Sequence, residues 1–349
     1  MNEISKPLIT AIIPTYRRPK LLRRAIKSVL NQTYPHFQVC VYDNASGDET
    51  ADVVAEFAKK DSRVKYYCHP ENIGAFKNFN YGMEHVDTPF FSFLSDDDIL
   101  LPEFYQTTME GFEKYPEVIF ASAASIIMNN RGDVLYSPSL YWQEGLYSPY
   151  KGLPLLLKYP RLWTGILFKK DVIEKFGFID GEVGPPSDLD FIIRVTLSNS
   201  FVVTKSLGAI YIDISNTCHE SCRFYQYRDG WNKMLLNVRE SKMIEPKMKE
   251  YAIQLLKSMF SRWTLSTWYR ALVQNNFEDA DQSILFLRDS NISKSKIMVV
   301  ICITKIAKHC SFIKYLAISI RYIQRRYRIK EFFLERELRK KYYYLLKID

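Results

Sequence analysis

Between Leu8 and Asp98 the chain alternates four times between a short apolar run and a stretch of helical period, joined by brief polar connections. Few folds accept that alternation. Strands returned by helices lie parallel, and a parallel sheet buries both faces under those helices. Residues 8–14, Leu-Ile-Thr-Ala-Ile-Ile-Pro, form the first strand, after which Leu22, Ala25, Ile26, Val29 and Leu30 recur at helical spacing. Residues 38–42 make a second strand that stops at Asp43, and Ser46 with Glu49 has the spacing of a capping box for a helix reaching about Lys60. A third strand spans 64–68, and Asn72-Ile73-Gly74 leads into a helix with Phe76, Phe79, Met83 and Val86 on one face. The fourth run, entered through Pro89, is Phe90-Phe91-Ser92-Phe93-Leu94, and it ends in Ser95-Asp96-Asp97-Asp98.

The pattern then loosens. A helix is expected over 102–115, a strand over 118–128 and a turn at 129–133. Residues 136–161, rich in Tyr, Pro, Leu and Gly, give no clean period and read as a loop-rich insert. Strand-like 162–168, a short helix over 170–176, a loop over 177–186, a helix over 188–197 and a strand over 201–214 complete the sheet region. After about Arg223 only helical patterns remain. The expected architecture is a doubly wound, mostly parallel α/β sheet domain over 1–220, followed by a basic helical region over 221–349.

Of the net charge of +9, residues 294–349 contribute +11 (15 Lys and Arg against 4 Asp and Glu), so the basicity belongs to the tail. Within that tail Val299, Ile303, Ile306, Cys310, Ile313, Ala317 and Ile320 follow one another by fours and threes, with Lys and Arg on the other faces. Such a stripe either packs on its own domain or rests on an anionic membrane surface. No nucleic-acid recognition module accompanies it. The six cysteines form no disulfide framework: Cys40 and Cys68 lie in strand-like runs as small core residues, and Cys218 and Cys222 lack a second pair for zinc. With a short polar N-terminus and no apolar run of spanning length, the expected location is the cytoplasm, with the inner face of the membrane as its extension.

Polar groups cluster where the expected parallel strands end: Thr15, Tyr16 and Arg18, then Asp43 and Asn44, then Asn72, then Asp96 to Asp98. In a twisted parallel sheet these ends share one crevice, which is where ligands bind. Adjacent carboxylates repel one another, and a hard divalent cation is the simplest compensation, although an acidic turn opening a helix needs none. Asp43 suits a base or ribose donor, Tyr16 offers a stacking face, and Arg18 a fork for phosphate. Neither a Gly-x-Gly-x-x-Gly loop nor a Gly-x-x-x-x-Gly-Lys loop is present, which disfavours a dinucleotide fold and a P-loop.

Four segments in order carry a resemblance: Ile12-Ile13-Pro14-Thr15-Tyr16, Ser28-Val29-Leu30-Asn31-Gln32-Thr33-Tyr34, Val41-Tyr42-Asp43-Asn44-Ala45-Ser46-Gly47-Asp48 and Glu71-Asn72-Ile73-Gly74. With the acidic strand they resemble the family 2 glycosyltransferases of the GT-A fold, inverting enzymes that use nucleotide sugars. The resemblance covers about residues 8–215. It implies that Pro14, Thr15, Tyr16, Arg18, Asp43, Asn44, Asn72 and Gly74 surround the nucleotide sugar. It places Asp96 near the ribose, Asp97 on a divalent metal (Mn2+ or Mg2+) and Asp98 either as a second ligand or as a group behind the ligands, with Ser95 where relatives carry the first carboxylate. Trp163-Thr164-Gly165, Gly177-Phe178-Ile179-Asp180 and Ser187-Asp188-Leu189-Asp190 resemble the acceptor-side segment. Asp188 falls on the general base, Ser187 stands where relatives have Glu, and Asp190 is read as structural. His219 is a further metal candidate by the same resemblance.

The family's processive members carry Gln-x-x-Arg-Trp, which is missing here, so single addition to a glycan or lipid-linked glycan is implied, with UDP as the default donor nucleotide. Two other readings compete. A non-catalytic sugar-nucleotide-binding scaffold is kept open by Ser95 and Ser187. A nucleotidyltransferase would need a glycine-rich basic loop after the first strand.

Overall fold

The computed structural model describes residues 8–137, 141–213, 224–288, 292–309 and 337–346. The chain divides into two compact units, whose described residues are 8–137, 141–182, 187–213 and 338–346 in the first and 183–186, 224–288, 292–309 and 337 in the second.

In the first unit, β1 (Ile9–Thr15), β2 (Phe37–Asp43), β3 (Val64–Cys68) and β4 (Phe90–Phe93) pair parallel in the order β3-β2-β1-β4. They are joined by α1 (Pro19–Leu30), α2 (Thr50–Ala58) and α3 (Ala75–Glu84). β1 and β2 are buried along their whole length, as continuous apolar strands covered on both faces must be. Cys40 is buried as expected, whereas Cys68 is exposed, because the edge strand β3 is covered only at its start. The helix α3 approaches this sheet closely at Gly82, where a Cβ would meet Ile12 Cγ2 at 2.5 Å.

Beyond β4 the sheet is mixed rather than parallel. After β5 (Ile99–Leu100) and α4 (Phe104–Lys114) come β6 (Phe120–Asn129) and β7 (Val134–Tyr136) around the expected turn. β9 (Ile166–Lys169) inserts antiparallel between β4 and β6, and β10 (Phe201–Asp213) runs parallel to β6. Because β9 opposes both neighbours, β6 and β10 point the same way as β1 and β4. Six strands therefore end on one edge of the sheet.

The expected loop-rich insert is instead ordered. β8 (Gly145–Tyr147) pairs antiparallel with β10, and α5 (Pro149–Lys158) follows, starting on a proline and tolerating Pro154 inside. Interior prolines and an irregular apolar pattern hid both from the sequence. Residues 163–165 form a short turn before β9 rather than part of a strand, and α6 (Asp171–Phe176) and α7 (Ser187–Thr196) complete the unit. The main core lies between β1, β2, β6, β10 and helices α1 and α4. On the opposite face Ile99, Leu101, Ile126, Met128, Val134, Ile210 and Ile212 form a second cluster, which Leu338, Tyr342, Leu345 and Leu346 cover. Arg339 pairs with Asp133 at 2.9 Å over the same surface. A sequence division at residue 220 does not contain this return of the C-terminal segment.

The second unit is helical: Phe224–Glu240, Pro246–Val273, Phe277–Arg288 and Lys294–His309. Its core gathers Trp268, Leu272, Ile284, Leu287, Ile297 and Val300, with the Trp268 indole N–H donating to Thr304 Oγ1 at 2.8 Å. The stripe read from the sequence is not the buried face of the last helix. Val299 and Ile306 are 57% and 52% exposed, beside exposed Met298 and Cys302. Apolar residues occupy both faces there, so spacing alone selects the wrong one. The rest of the stripe, from Cys310 to Ile320, lies outside the described residues. Among the described residues no helix is long and apolar enough to cross a membrane.

Candidate active site

The parallel register brings the strand ends together: Thr15 lies opposite Asp43, and Asp43 opposite Cys68. From the end of β2, Asp43 is buried and accepts from the Ser46 amide at 3.0 Å, the Ser46 hydroxyl at 2.5 Å and the Tyr66 phenol at 2.6 Å. Ser46 thus serves the site and not the helix. The start of α2 is held by Asp48, which accepts from the Thr50 amide and hydroxyl. Arg17 donates its backbone N–H to Ser46 Oγ at 2.8 Å. Arg17 and Ala45 adopt φ of 54° and 60°, a left-handed conformation uncommon for non-glycine residues and typical of functional loops.

Asn44 ties the next strand end to this pair. Its amide donates to Asn72 Oδ1 at 2.9 Å, its own Oδ1 accepts from the Ile73 N–H at 2.8 Å, and its backbone N–H reaches Thr15 O at 3.0 Å. Gly74, at φ 86°, opens α3 and donates to Asn72 Oδ1. Below them Asn78 is buried, bonding Tyr42 O and the His69 ring. Tyr16 stands 38% exposed, with the Arg17 guanidinium over its ring at 5.1 Å from the centroid. Pro14, fixed within β1, sits opposite Tyr42.

The three aspartates after β4 take three different positions. Asp96 accepts from the Thr15 hydroxyl at 2.8 Å and from Arg18 at 3.2 Å. Asp97 accepts from the same Arg18 nitrogen at 3.0 Å, while Arg24 donates to the Asp97 carbonyl at 2.6 Å. Asp98 is fully buried and faces inward, one oxygen accepting from Thr164 Oγ1 at 2.6 Å and the other from the Ile212 N–H at 2.9 Å. Burial and the charge of Asp97 push the Asp96 carboxyl up to about 6. Burial raises Asp97 against the pull of Arg18 and Arg24, and burial together with Asp97 raises Asp98 well above the carboxylate range. Against burial, Asp96 and Asp97 hold the Arg18 guanidinium above its ordinary value. Crowded acids with raised affinity for protons are groups with affinity for another cation.

On the acceptor side Asp188 lies in the first turn of α7, half-buried, with the Leu189 N–H donating to its Oδ1 at 2.7 Å. The buried Ser187 hydroxyl donates to Asp180 O. Asp190 is buried and paired with Arg194 at 2.8 Å, and Arg194 also bonds Phe176 O and Phe178 O, so this acid anchors the helix to the preceding loop. His219 lies outside the described residues. Sequence reasoning assigned no role to the Arg24 and Thr164 side chains or to the Ile212 amide, all of which reach the acidic turn from distant elements. Thr164 stood inside a recognised segment, but only the fold reveals that its hydroxyl bonds Asp98.

A sheet whose parallel strand β4 ends in an acidic turn, beside neighbouring strand ends that carry bonded polar side chains, has the GT-A type of transferase fold. Residues 10–177 match the profile of Glycosyl transferase family 2, so this part of the chain is a family 2 glycosyltransferase domain, and the protein is a glycosyl-transferring enzyme. It is 26% identical over 272 residues to the GalNAc(5)-diNAcBac-PP-undecaprenol beta-1,3-glucosyltransferase of Campylobacter jejuni, covering 77% of this chain and 84% of that one. Among solved structures it shares its fold with S. aureus TarS 1–349 in complex with UDP-GlcNAc (TM-score 0.61, 13% identity, 90% of this chain and 91% of that one). The fold is also that of the Pyrobaculum calidifontis mannosyltransferase PcManGT in complex with GDP-Man and Mn2+ (TM-score 0.52, 14% identity, 90% and 86%).

Proposed function

We propose that the chain is a non-processive inverting transferase that moves a sugar from a nucleotide sugar, UDP by preference, to a hydroxyl of a glycan or lipid-linked glycan. The observation that carries this reading is the crowded acidic turn at the shared strand edge, where the Arg18 guanidinium bridges the Asp96 and Asp97 carboxylates and Arg24 reaches the Asp97 carbonyl. The Campylobacter relative, named for a glycan on undecaprenol diphosphate, supports the acceptor class. The TarS complexes with UDP-GlcNAc and UDP support the donor class.

In this reading the nucleoside occupies the cleft of Thr15, Tyr16, Asp43, Asn44, Asn72 and Gly74, with Asp96 at the ribose. Asp188 takes the proton of the acceptor hydroxyl while that oxygen bonds the anomeric carbon. The carbon–oxygen bond to the donor phosphate breaks on the opposite face, and its electron pair leaves with the nucleoside diphosphate. The side chains fit a hard divalent cation. Their oxygens are carboxylate oxygens of raised basicity, and such a cation ordinarily takes one or two carboxylates together with phosphate oxygens. Asp97 would hold it, and Asp98, whose oxygens are both engaged, would steady the turn behind. When bound, the cation neutralises charge on the leaving diphosphate. Arg18, with a side chain 41% exposed, is free to turn from the carboxylates to a phosphate.

A panel of UDP-, GDP- and TDP-sugars, with Mn2+, Mg2+ or EDTA, tests the reading by calorimetry and donor hydrolysis. One donor should bind and turn over only with metal, and Asp97→Asn should weaken that binding by about tenfold or more. A wild-type chain that binds a donor in EDTA as tightly as in metal rules out the cation. One that binds donor but never turns it over, with any acceptor glycan, points to the scaffold alternative.

The reading also places the protein at the cytoplasmic face of a membrane. Exposed Met298, Val299, Cys302 and Ile306 share the last described helix with Lys294, Lys296, Lys305 and Lys308, a pattern suited to an anionic bilayer. The full chain should co-sediment with vesicles of anionic lipid, and Met298→Asp with Ile306→Asp should reduce the bound fraction severalfold. Equal recovery of both proteins with the vesicles would remove this surface from the reading.

A further inference from the structure

Arg18 and Arg24 both reach the acidic turn, but they hold different parts of it. Arg18 bonds the side chains of Asp96 and Asp97 and keeps 41% of its own side chain exposed. Arg24 bonds no carboxylate among the described residues. Its Nη2 donates to the main-chain oxygen of Asp97 at 2.6 Å, and its Nε is buried with no partner among the described residues. An N–H buried without an acceptor costs stability, so such a group is kept for what its other atoms hold.

The oxygen it holds belongs to the peptide between Asp97 and Asp98. The N–H of the same peptide donates to Ser95 O at 3.0 Å, so this unit is pinned at both ends. On one side of it Asp97 meets Arg18, and on the other Asp98 turns in to Thr164 and the Ile212 N–H. A planar peptide rotates as a whole, so its orientation sets where both carboxylates leave the chain. Further along α1, Ser28 Oγ accepts from the Leu100 N–H at 3.1 Å, one helical turn on from Arg24. Gln32, just past the helix, donates to Leu101 O at 2.6 Å and accepts from the Tyr105 N–H at 2.9 Å. Of these three side chains only Arg24 bonds the turn itself, and only Arg24 is charged.

We infer that Arg24 is a positioning residue: by fixing the Asp97 peptide it keeps the Asp97 carboxylate aimed for a divalent cation, and it stays in place when Arg18 leaves for a phosphate. The inference rests on the cation reading above. Once Arg18 has gone, Asp96 and Asp97 repel each other, and a turn free to relax would carry the two carboxylates apart. A cation site needs its oxygens held before the cation arrives. Groups that hold a ligand residue without touching the metal ordinarily tune metal affinity by about tenfold to a hundredfold.

The test is the ratio of UDP affinity in Mn2+ to that in EDTA, measured by calorimetry on the full chain, with GDP in place of UDP if guanine is the base bound. Arg24→Met keeps the stem and loses the charge and the donors. Its ratio should fall about tenfold, with the affinity in EDTA within about twofold of wild type. Arg24→Lys keeps the charge on a stem one bond shorter, and its ratio should fall between the two. Gln32→Ala is the structural control. It leaves Leu101 O and the Tyr105 N–H unpaired, so it should lower the melting temperature while holding the ratio within about twofold. An unchanged ratio in Arg24→Met, or an equal fall in Gln32→Ala, overturns the inference. If Arg24→Met does not fold, Arg24→Lys decides: a ratio within about twofold of wild type overturns the role, and a larger fall upholds it. A wild-type chain with the same UDP affinity in EDTA as in Mn2+ overturns the cation reading itself, and this inference with it.

Discussion

Asp188→Asn should abolish turnover while leaving donor binding intact. The substitution is isosteric and keeps an oxygen for the Leu189 N–H, so the first turn of α7 retains its geometry. It removes the only half-buried carboxylate of that turn, since Asp190 is buried against Arg194 and cannot substitute. Losing a general base ordinarily lowers the rate by about 10^2 to 10^4. Donor affinity should change by less than about twofold, because in the proposed mechanism the residue serves the acceptor and not the nucleotide. Steady-state release of nucleoside diphosphate, together with calorimetry, reads both. A kcat within about tenfold of wild type would take the role of base away from Asp188. Asp190→Asn is the control: it should lower stability by breaking a buried pair with Arg194.

Asp98→Ala should be among the most destabilising substitutions in the first unit, and Asp98→Asn close to harmless. The carboxylate accepts from Thr164 and from the Ile212 N–H in a fully buried site. Ala leaves both donors unsatisfied, at about 1–3 kcal/mol each, and adds a small cavity. Asn still accepts from the Ile212 N–H, and its amide can donate to the Thr164 hydroxyl, which reverses its role. It also removes a carboxyl whose ionisation burial opposes. Urea denaturation at neutral pH should put Ala about 2–5 kcal/mol below wild type and Asn within about 1 kcal/mol. Equal losses would mean that the charge, not the pair of hydrogen bonds, is what the fold uses.

The same crowding sets a pH dependence. Acids whose folded pKa is raised bind protons more tightly when folded. Their stabilising contribution is complete below the unfolded value of about 4 and fades as the pH rises through the folded value. For Asp96 that window runs up to about 6. Asp96→Asn should therefore gain on wild type as the pH rises across it.

Much of the first hundred residues was legible because local rules act alone there. Each strand ended at a polar residue, the helices returned the chain, and the parallel register then aligned Thr15 with Asp43 without further information. The acceptor half was not legible to the same depth. β9 runs antiparallel between two strands far from it in sequence, a choice made by the sheet and not by its four residues. Asp98 looked equivalent to Asp97, and what turns it inward is an amide 114 residues away. Ser46 had the spacing of a helix cap, but Asp43 and Arg17 compete for its hydroxyl and hold it.

The return of Leu338, Tyr342, Leu345 and Leu346 to the first unit imposes an order in time. Ribosomes make the sheet first, and the apolar surface behind the acidic turn, with Ile99, Ile126, Met128, Ile210 and Ile212, emerges long before its cover. Throughout translation of the helical unit that surface waits in water. The strand whose amide positions Asp98 is backed by side chains that are made after the whole helical unit, so the support behind the acidic turn is completed only once that unit has been synthesised.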